Sequence, residues 1–286
     1  MRQRVLVLVC VLLVTASACS RKQAVDPPVA TPSVTFSKDK AAIGSPLKIT
    51  YKFEVLPNAS FDADHVAFVH IMDPDGEKLW QDDHAPTVPT SQWKPGQVIE
   101  YTRTVFVPNY PYIGEAVVRI GLYNPANGKR LTLNAPEASR QEYVAGKLQL
   151  LPQSENVFLI YKEGWHPQEV APDDPITEWQ WTKKRGTISF RNPGRDATFY
   201  LEWDARIDLF TPPQQVTVTL AGQPIGAFQA NSKDRTLTSI PIAAAQFGSV
   251  AMAEIAVEVD RAFTPGGGAD TRELGIRVFH AFIEPK

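Results

Sequence analysis

The chain has 286 residues, 21% of them charged, and its formal net charge is −2. A charge so close to neutral argues against nucleic acid or an anionic membrane surface as a partner, because both require a basic surface. Its two cysteines, Cys10 and Cys19, are too few for a disulfide framework. The length is sufficient for two domains of ordinary size.

The first 19 residues have the layout of a bacterial lipoprotein signal. Two arginines precede an apolar run over residues 5–14, and small residues then lead to Cys19. The run suits a secretory signal and is too short to span a bilayer. The segment before Cys19 resembles a lipobox, although Ala16 stands where leucine is usual. We predict that residues 1–18 are cleaved and that Cys19 is acylated and palmitate-bearing. The alternative is an ordinary signal cut after Ala18.

Cleavage discards Cys10 and both arginines, which leaves 27 basic and 31 acidic residues and a formal charge of −4. The acyl groups on Cys19 then anchor the mature protein in the lipid bilayer. Two or more acyl groups give a stable anchor. Ser20 follows the cysteine where aspartate would indicate inner-membrane retention, so the periplasmic or outer face of the outer membrane is favoured. Residues 19–32 are polar and rich in proline, which predicts a flexible, lipidated tether.

The rest of the chain alternates apolar and polar residues in short segments, which is typical of an all-β protein. From Leu47 to Val55, five apolar side chains lie on one face of a predicted strand. Turn sequences such as Asp73–Gly76 and Lys94–Gln97 separate seven or eight such segments over residues 33–152. This pattern predicts a first β-sandwich of immunoglobulin-like architecture.

Part of this first domain resembles the extracytoplasmic β-sandwich modules of some bacterial membrane glycosyltransferases and glycan-pathway surface proteins. The resemblance covers about 60 residues and implies a module with no catalytic residues. It depends on two motifs, formed by Pro89, Thr90, Ser91, Trp93, Pro95 and Gly96, and by Gly121, Leu122, Tyr123, Pro125, Gly128, Arg130 and Leu131.

A polar boundary at residues 152–156 leads to eight or nine further predicted strands over residues 157–286. They indicate a second sandwich, either immunoglobulin-like or a jelly roll. This half resembles the galactose-binding-like sandwiches that accompany glycan-handling proteins. That likeness depends on a Gly-Trp pair, a Trp-x-Trp pair, an alternating strand with its turn and a closing acidic motif, namely Gly164, Trp165, Trp179, Trp181, Val216, Val218, Leu220, Ala221, Gly222, Asp270, Arg272, Leu274 and Gly275.

The aromatic residues of the second half suggest a sugar site, because the C–H groups of a pyranose stack on indole rings while its hydroxyls bond to acids and arginine. The candidate glycan-binding residues are Trp165, Trp179, Trp181, Asp173, Asp174 and Arg185. Trp179 and Trp181 share one face of a strand. In small sandwiches, however, most tryptophans fill the core. Core packing is favoured for Trp179, Trp181 and Trp203, and Trp165 is left open.

Other polar groups have simpler explanations. Asp82, Asp83 and His84 could ligate a cation, but consecutive side chains point apart, which favours a solvated turn. A hairpin turn explains Asp73, Asp75 and Gly76 better than a calcium loop does. A structural ion pair is favoured for Asp270 and Arg272. We predict no metal site and no cofactor.

Catalytic motifs are missing from the sequence: it has no nucleophile elbow, no His-Glu-x-x-His and no phosphate loop. We therefore expect a non-catalytic envelope lipoprotein acting as a glycan-binding module. The alternative is a structural or protein-interaction module of a cell-envelope assembly. Glycan binding needs an accessible tryptophan beside polar groups, whereas a protein partner needs an exposed apolar patch.

Overall fold

A computed structural model describes residues 26–110, 112–266 and 268–286, and these residues form almost only β-strands. The all-β fold class is thus confirmed. The predicted signal at residues 1–18, the lipidation site Cys19 and the first part of the predicted tether lie outside the described residues. Among the described residues, no helix is long and apolar enough to cross a membrane.

Strands between residues 30 and 151 form two sheets around a shared core. A three-stranded sheet has the order β1-β3-β6, and a six-stranded sheet has the order β2-β9-β7-β4-β5 with β8 paired to β9. The strand bounds are β1 Ala30–Phe36, β2 Lys40–Ala42, β3 Pro46–Val55, β4 Val66–Met72, β5 Lys78–Gln81, β6 Val98–Phe106, β7 Gly114–Tyr123, β8 Glu137–Ser139 and β9 Glu142–Leu151.

The predicted alternation in β3 forms the centre of this first core. Its five apolar side chains, from Leu47 to Val55, are all buried. They pack in one cluster with Val69 and Ile71 of the opposite sheet. Burial of such side chains contributes roughly 1.5–3 kcal/mol each, so this one face is a large part of what stabilises the first half.

Strands between residues 159 and 285 form two five-stranded sheets. The order β10-β13-β18-β15-β16 defines the β10 sheet, and the order β11-β12-β19-β14-β17 defines the β19 sheet. The bounds are β10 Leu159–Tyr161, β11 Glu169–Ala171, β12 Asp174–Trp181, β13 Arg185–Arg191, β14 Ala197–Asp204, β15 Gln214–Leu220, β16 Gln223–Ala230, β17 Thr236–Ile242, β18 Met252–Val259 and β19 Arg277–Pro285, with one short helix, α1, at Ala244–Phe247.

A second, separate core lies between these two sheets. Phe199, Leu201 and Trp203 of β14 point into it, where they meet Val216 and Val218 of β15. Because strand side chains alternate, the residues between them on β14 lie on the outer face of the β19 sheet. The expectation that Trp203 is a core residue is confirmed.

Several predicted boundaries differ from the observed ones. Strand β1 begins at Ala30, before the expected domain start at residue 33, and the Val29 amide already donates to the Thr132 carbonyl at 3.0 Å. The predicted 171–175 loop is a tight hairpin, in which Ala171 pairs with Asp174. The last strand begins at Arg277, three residues later than expected.

The Pro89–Gly96 motif has a structural role at one end of the first sandwich. Thr90 is buried, and its hydroxyl accepts from the His65 amide at 2.8 Å. Trp93 is buried too, with its indole N–H donating to the Val88 carbonyl at 2.8 Å and its ring 5.1 Å from that of Phe53. This part of the first resemblance therefore closes the core.

The two halves meet along the outer face of β19. Lys38 Nζ lies 2.9 Å from Glu284 Oε1. The Phe106 ring stacks on His280 with a centroid separation of 4.6 Å and an interplanar angle of 12°. His280 Nδ1 in turn lies 2.6 Å from Glu202 Oε2. Strand β19 thus contributes its inner face to one core and its outer face to the junction.

Candidate functional site

Trp179 and Trp181 lie on the outer face of the β19 sheet. In the register of β12 with β19, Trp181 is opposite Arg277 and Gln180 is opposite Val278. Because Val278 belongs to the second core, the side chains one residue away point outward. Both indoles are half-buried. The expectation that they fill the core is wrong, because β12 presents them on the face opposite to the core.

The guanidinium of Arg277 occupies the centre of this surface. Its Cζ lies 4.9 Å from the Trp179 ring centroid, 5.8 Å from that of Trp181 and 5.1 Å from that of Phe279. Asp204, which is buried, accepts from Arg277 Nε at 2.8 Å and from Nη2 as well. A bidentate carboxylate holds the guanidinium plane in a fixed orientation. The three rings therefore surround a positioned cation.

A second arginine extends the surface toward β17. The Arg235 guanidinium lies 4.2 Å from the Phe279 ring centroid, and its Nη2 donates to Thr177 Oγ1 at 2.7 Å. The Thr177 hydroxyl donates to Asp174 Oδ2 at 2.6 Å. We name Trp179, Trp181, Phe279, Arg235 and Arg277 the aromatic–arginine face.

This face continues at its far end into two phenylalanines from separate loops. The Trp181 and Phe263 centroids are 5.8 Å apart, and those of Phe263 and Phe210 are 6.3 Å apart. Arg261 stacks over Phe210 at 5.1 Å. Aromatic rings thus extend from the sheet to its border.

Ion pairs form the other border. Glu169 of β11 is opposite Trp179, and its Oε1 accepts from Arg272 Nη1 at 2.7 Å. Arg272 also bonds to Asp270, with Nε–Oδ1 at 2.9 Å and Nη2–Oδ2 at 2.8 Å, which confirms the predicted structural ion pair. The hydrogen bonds from Arg272 lower the pKa of Asp270 to about 2.

The other candidate residues are dispersed. Trp165 packs against the second core, and its indole N–H donates to the Thr187 carbonyl at 2.8 Å. Arg185 belongs to β13 of the β10 sheet, 3.8 Å from Glu258. Asp173 is exposed in the β11–β12 hairpin, and Asp174 reaches the aromatic–arginine face through Thr177. Of the six, Trp179, Trp181 and Asp174 are brought together.

Three residues of the face were not among the sequence candidates: Arg235, Arg277 and Phe279. A signal for two of them existed, because Arg277 and Phe279 both lie in the last predicted strand, two residues apart. A cation and an aromatic ring at alternate positions of a strand share a face in a regular strand. Their pairing with Trp179 depends on the β12–β19 register, which the sequence does not display.

The face has the groups that sugar recognition requires. Half-buried indoles offer apolar ring area, while the arginines and acids around them donate and accept hydrogen bonds. The indole N–H of Trp179 is buried and has no hydrogen-bond partner among the described residues. An unpaired buried donor of this kind typically costs about 1–3 kcal/mol.

The Asp82–His84 segment is not the solvated turn that was expected. Asp82 and His84 are both buried, and only Asp83 is exposed. Asp82 accepts from the Tyr51 hydroxyl at 2.8 Å and from Arg103 Nη2 at 2.9 Å. The prediction failed because residues two apart in an extended segment point to the same side, here inward. Among the described residues, no three His, Cys, Asp or Glu side chains group as a metal would need.

The buried imidazole of His84 predicts a pH dependence of stability. Its Nε2 lies 2.9 Å from the Tyr101 hydroxyl, and burial lowers its pKa below the ordinary value of about 6.5. The unfolded chain therefore binds a proton that the folded chain does not as the pH falls below about 6.5. The contribution of the neutral His84 to the free energy of unfolding is therefore present above that pH and lost below it. The free energy of unfolding falls by at most about 1.4 kcal/mol per pH unit from this group.

We expect the free energy of unfolding to fall between pH 7 and pH 5, and His84→Gln to reduce that fall. Urea denaturation at several pH values measures both slopes. Burial also lowers the pKa of His70, so part of the slope remains in the variant. Equal slopes for the wild type and His84→Gln would show that His84 makes no contribution.

Comparison with known proteins finds similarity only at the level of solved structures. No protein-family model matches the chain, and no curated protein does. Solved structures with some similarity include the C-terminal domain of Wzt, with 10% identity and a TM-score of 0.29 over 44% of this chain and 75% of that chain. They also include a Bacteroides uniformis beta-glucuronidase, with 9% identity and a TM-score of 0.32 over 89% of this chain and 30% of that chain.

A third such structure holds the M60 catalytic domain with the CBM51-1 and CBM51-2 domains of Clostridium perfringens ZmpB. It has 7% identity and a TM-score of 0.25 over 85% of this chain and 34% of that chain.

Proposed function

We propose that this chain is a non-catalytic glycan-binding module, held at a bacterial membrane by an acylated Cys19. The observation that carries the proposal is the aromatic–arginine face. Two half-buried indoles lie on one sheet surface around a fixed guanidinium, with hydroxyl and carboxylate groups at the border. Sugars need this combination of ring area and polar groups. A neutral oligosaccharide fits best, because Asp204 and Glu169 pair with the arginines Arg277 and Arg272.

Trp181 is the residue to change in testing this function. We expect Trp181→Ala to weaken binding of the recognised oligosaccharide at least tenfold, equivalent to about 1.4 kcal/mol, because the variant removes a ring that contacts both Arg277 and Phe263. Isothermal titration calorimetry with a panel of neutral cell-envelope oligosaccharides measures the affinity. Circular dichroism verifies that the variant is folded.

Trp80→Phe is the matched control. Trp80 is a half-buried tryptophan of the first half, and its indole N–H, like that of Trp179, lacks a partner among the described residues. This variant should bind as the wild type does. If Trp181→Ala binds the oligosaccharide as strongly as the wild type does, the aromatic–arginine face is not the binding site.

A protein-interaction role is the second candidate, and one observation favours it. Phe158 is 79% exposed, Ile160 is 37% exposed and Met252 is 48% exposed. Strand β10, which holds Ile160, is an edge strand of the β10 sheet, so one side of its backbone is open to a partner. A flat response of the wild type across the oligosaccharide panel would favour this function over glycan binding.

A further inference from the structure

The outer face of the six-stranded sheet carries a second cluster of polar groups, far along the chain from the aromatic–arginine face. His70 of β4 is directly opposite Arg119 of β7. Both side chains approach the Glu142 carboxylate at the start of β9, at 3.5 Å and 3.7 Å. The Arg130 Nη1 approaches the same carboxylate at 3.3 Å. Two arginines and a histidine thus converge on one acid.

The second motif of the sequence resemblance builds this cluster. Gly121 is opposite Phe68, and a Cβ added to Gly121 would lie 2.1 Å from the Phe68 ring. Glycine is therefore required for the ring to lie across the sheet here. The guanidinium of Arg130 stacks over that ring, 4.4 Å from its centroid. The motif residues Gly121 and Arg130 act together to place a cation on the outer face.

Glu142 does not satisfy all of the hydrogen-bond donors of the arginines in this cluster. Charge-assisted hydrogen bonds are typically about 2.7–2.9 Å long, so the contacts of 3.3 Å and 3.7 Å from Arg130 and Arg119 are loose. Arg119 Nε is buried and has no hydrogen-bond partner among the described residues. Arg140 is a third arginine, exposed and on the same surface as Arg130 and Glu142. Three arginines therefore lie near the Glu142 carboxylate, and the Glu137 carboxylate lies on the adjoining turn.

A strained turn forms the wall of this site. Arg140 and Gln141 join β8 to β9 with φ angles of +40° and +61°, a region that residues other than glycine rarely adopt. Glu137 Oε1 accepts from the Gln141 amide at 2.7 Å, and the Arg140 carbonyl accepts from Arg130 Nη1 at 2.9 Å. These bonds hold the turn over a shallow depression of about 710 Å³. We name it the basic depression; its lining residues are Gly128, Arg130, Ser139, Arg140, Gln141 and Glu142.

We propose that the basic depression binds an acidic sugar residue through its carboxylate. The guanidinium groups of Arg130 and Arg140 pair with the carboxylate, since a planar fork matches it in a bidentate manner. Ser139, Gln141 and Glu142 bond to the ring hydroxyls. Glu142 disfavours a dianion such as phosphate at this position by charge repulsion. This site is independent of the aromatic–arginine face, so either one can fail without the other.

Arg140→Asn provides the sharpest test, because asparagine tolerates a positive φ and the exposed guanidinium is not part of the core. The probe is trigalacturonate, titrated by calorimetry into the whole chain. We expect the wild type to bind it and Arg140→Asn to bind at least tenfold more weakly. The wild type should bind the methyl ester of trigalacturonate, which lacks the charge, at least tenfold more weakly than it binds trigalacturonate.

Arg195→Gln is the matched control, because it removes an exposed arginine of the second half. It should leave the affinity for trigalacturonate unchanged. No binding by the wild type, or equal binding by Arg140→Asn, overturns the proposal. Displacement of trigalacturonate by inorganic phosphate at equal concentration also overturns it, because the site then recognises anions of any kind.

Discussion

Replacing Asp82 with alanine is expected to lower the free energy of unfolding by about 3 kcal/mol, because removing one partner leaves a buried polar network unpaired. The Asp82 side chain is 9% exposed, and it accepts from Arg103 Nε and Nη2 at 3.0 Å and 2.9 Å. The buried Tyr51 hydroxyl would also lose its acceptor. The expected loss is at the lower end of the range for buried pairs, since Arg103 is partly screened by solvent. Urea denaturation measures it.

Glu54→Ala is the comparison for this variant. Glu54 Oε1 lies 2.6 Å from Lys52 Nζ, but Glu54 is exposed and Lys52 only half-buried on the outer face of β3, the central strand of its sheet. Exposed ion pairs contribute about 0–1 kcal/mol, so this loss should be small despite the shorter distance. A loss as large as that for Asp82→Ala would mean that burial does not determine the strength of these pairs.

Trp203→Ala is expected to have a larger effect, about 4 kcal/mol, because it leaves a cavity in the second core. Trp203 is 2% exposed. Its ring stacks on that of Phe228 at 4.9 Å, and its indole N–H donates to the Thr238 hydroxyl at 2.8 Å. The truncation therefore removes a large side chain and leaves a hydroxyl without its donor. Urea denaturation at pH 7 gives the change.

Trp181→Ala provides the reference for Trp203→Ala. Trp181 is half-buried on the outer face and does not belong to the core cluster, so we expect a stability loss of about 1 kcal/mol or less. Equal losses for the two variants would mean that the aromatic–arginine face is structural. Together with the affinity measurement, this pair separates a role in binding from a role in folding.

The regular strands were predictable because one of their faces is buried throughout. In β3 the apolar side chains recur every second residue, and the structure has them all in the core. Three of the four three-residue strands, β2, β8 and β11, escaped prediction, since so short a segment displays little alternation. The structure has nine strands in the first half and ten in the second among the described residues, more than the sequence indicated.

Only those residues of the candidate site that lie close together on one strand were predictable from the sequence. Trp179 and Trp181 are two residues apart on one strand, so their common face follows from the strand period. Arg277 of β19 and Arg235, which directly precedes β17, lie about 55 to 100 positions further along the chain, and only the sheet order brings them together with the tryptophans. The buried position of Asp82 was missed for a similar reason, because its partners Tyr51 and Arg103 belong to the opposite sheet.

The early start of the fold would limit how far a chain anchored at Cys19 can extend from a membrane. The Val29 amide is already bonded to Thr132, so only ten Cα–Cα steps separate it from Cys19. At no more than about 3.6 Å per residue, an acylated Cys19 would keep this point within about 35 Å of the lipid surface. With Cys19 acylated as proposed, such a short connection would confine the search for a ligand to a thin layer and would raise the effective concentration of either proposed site toward ligands displayed on that membrane.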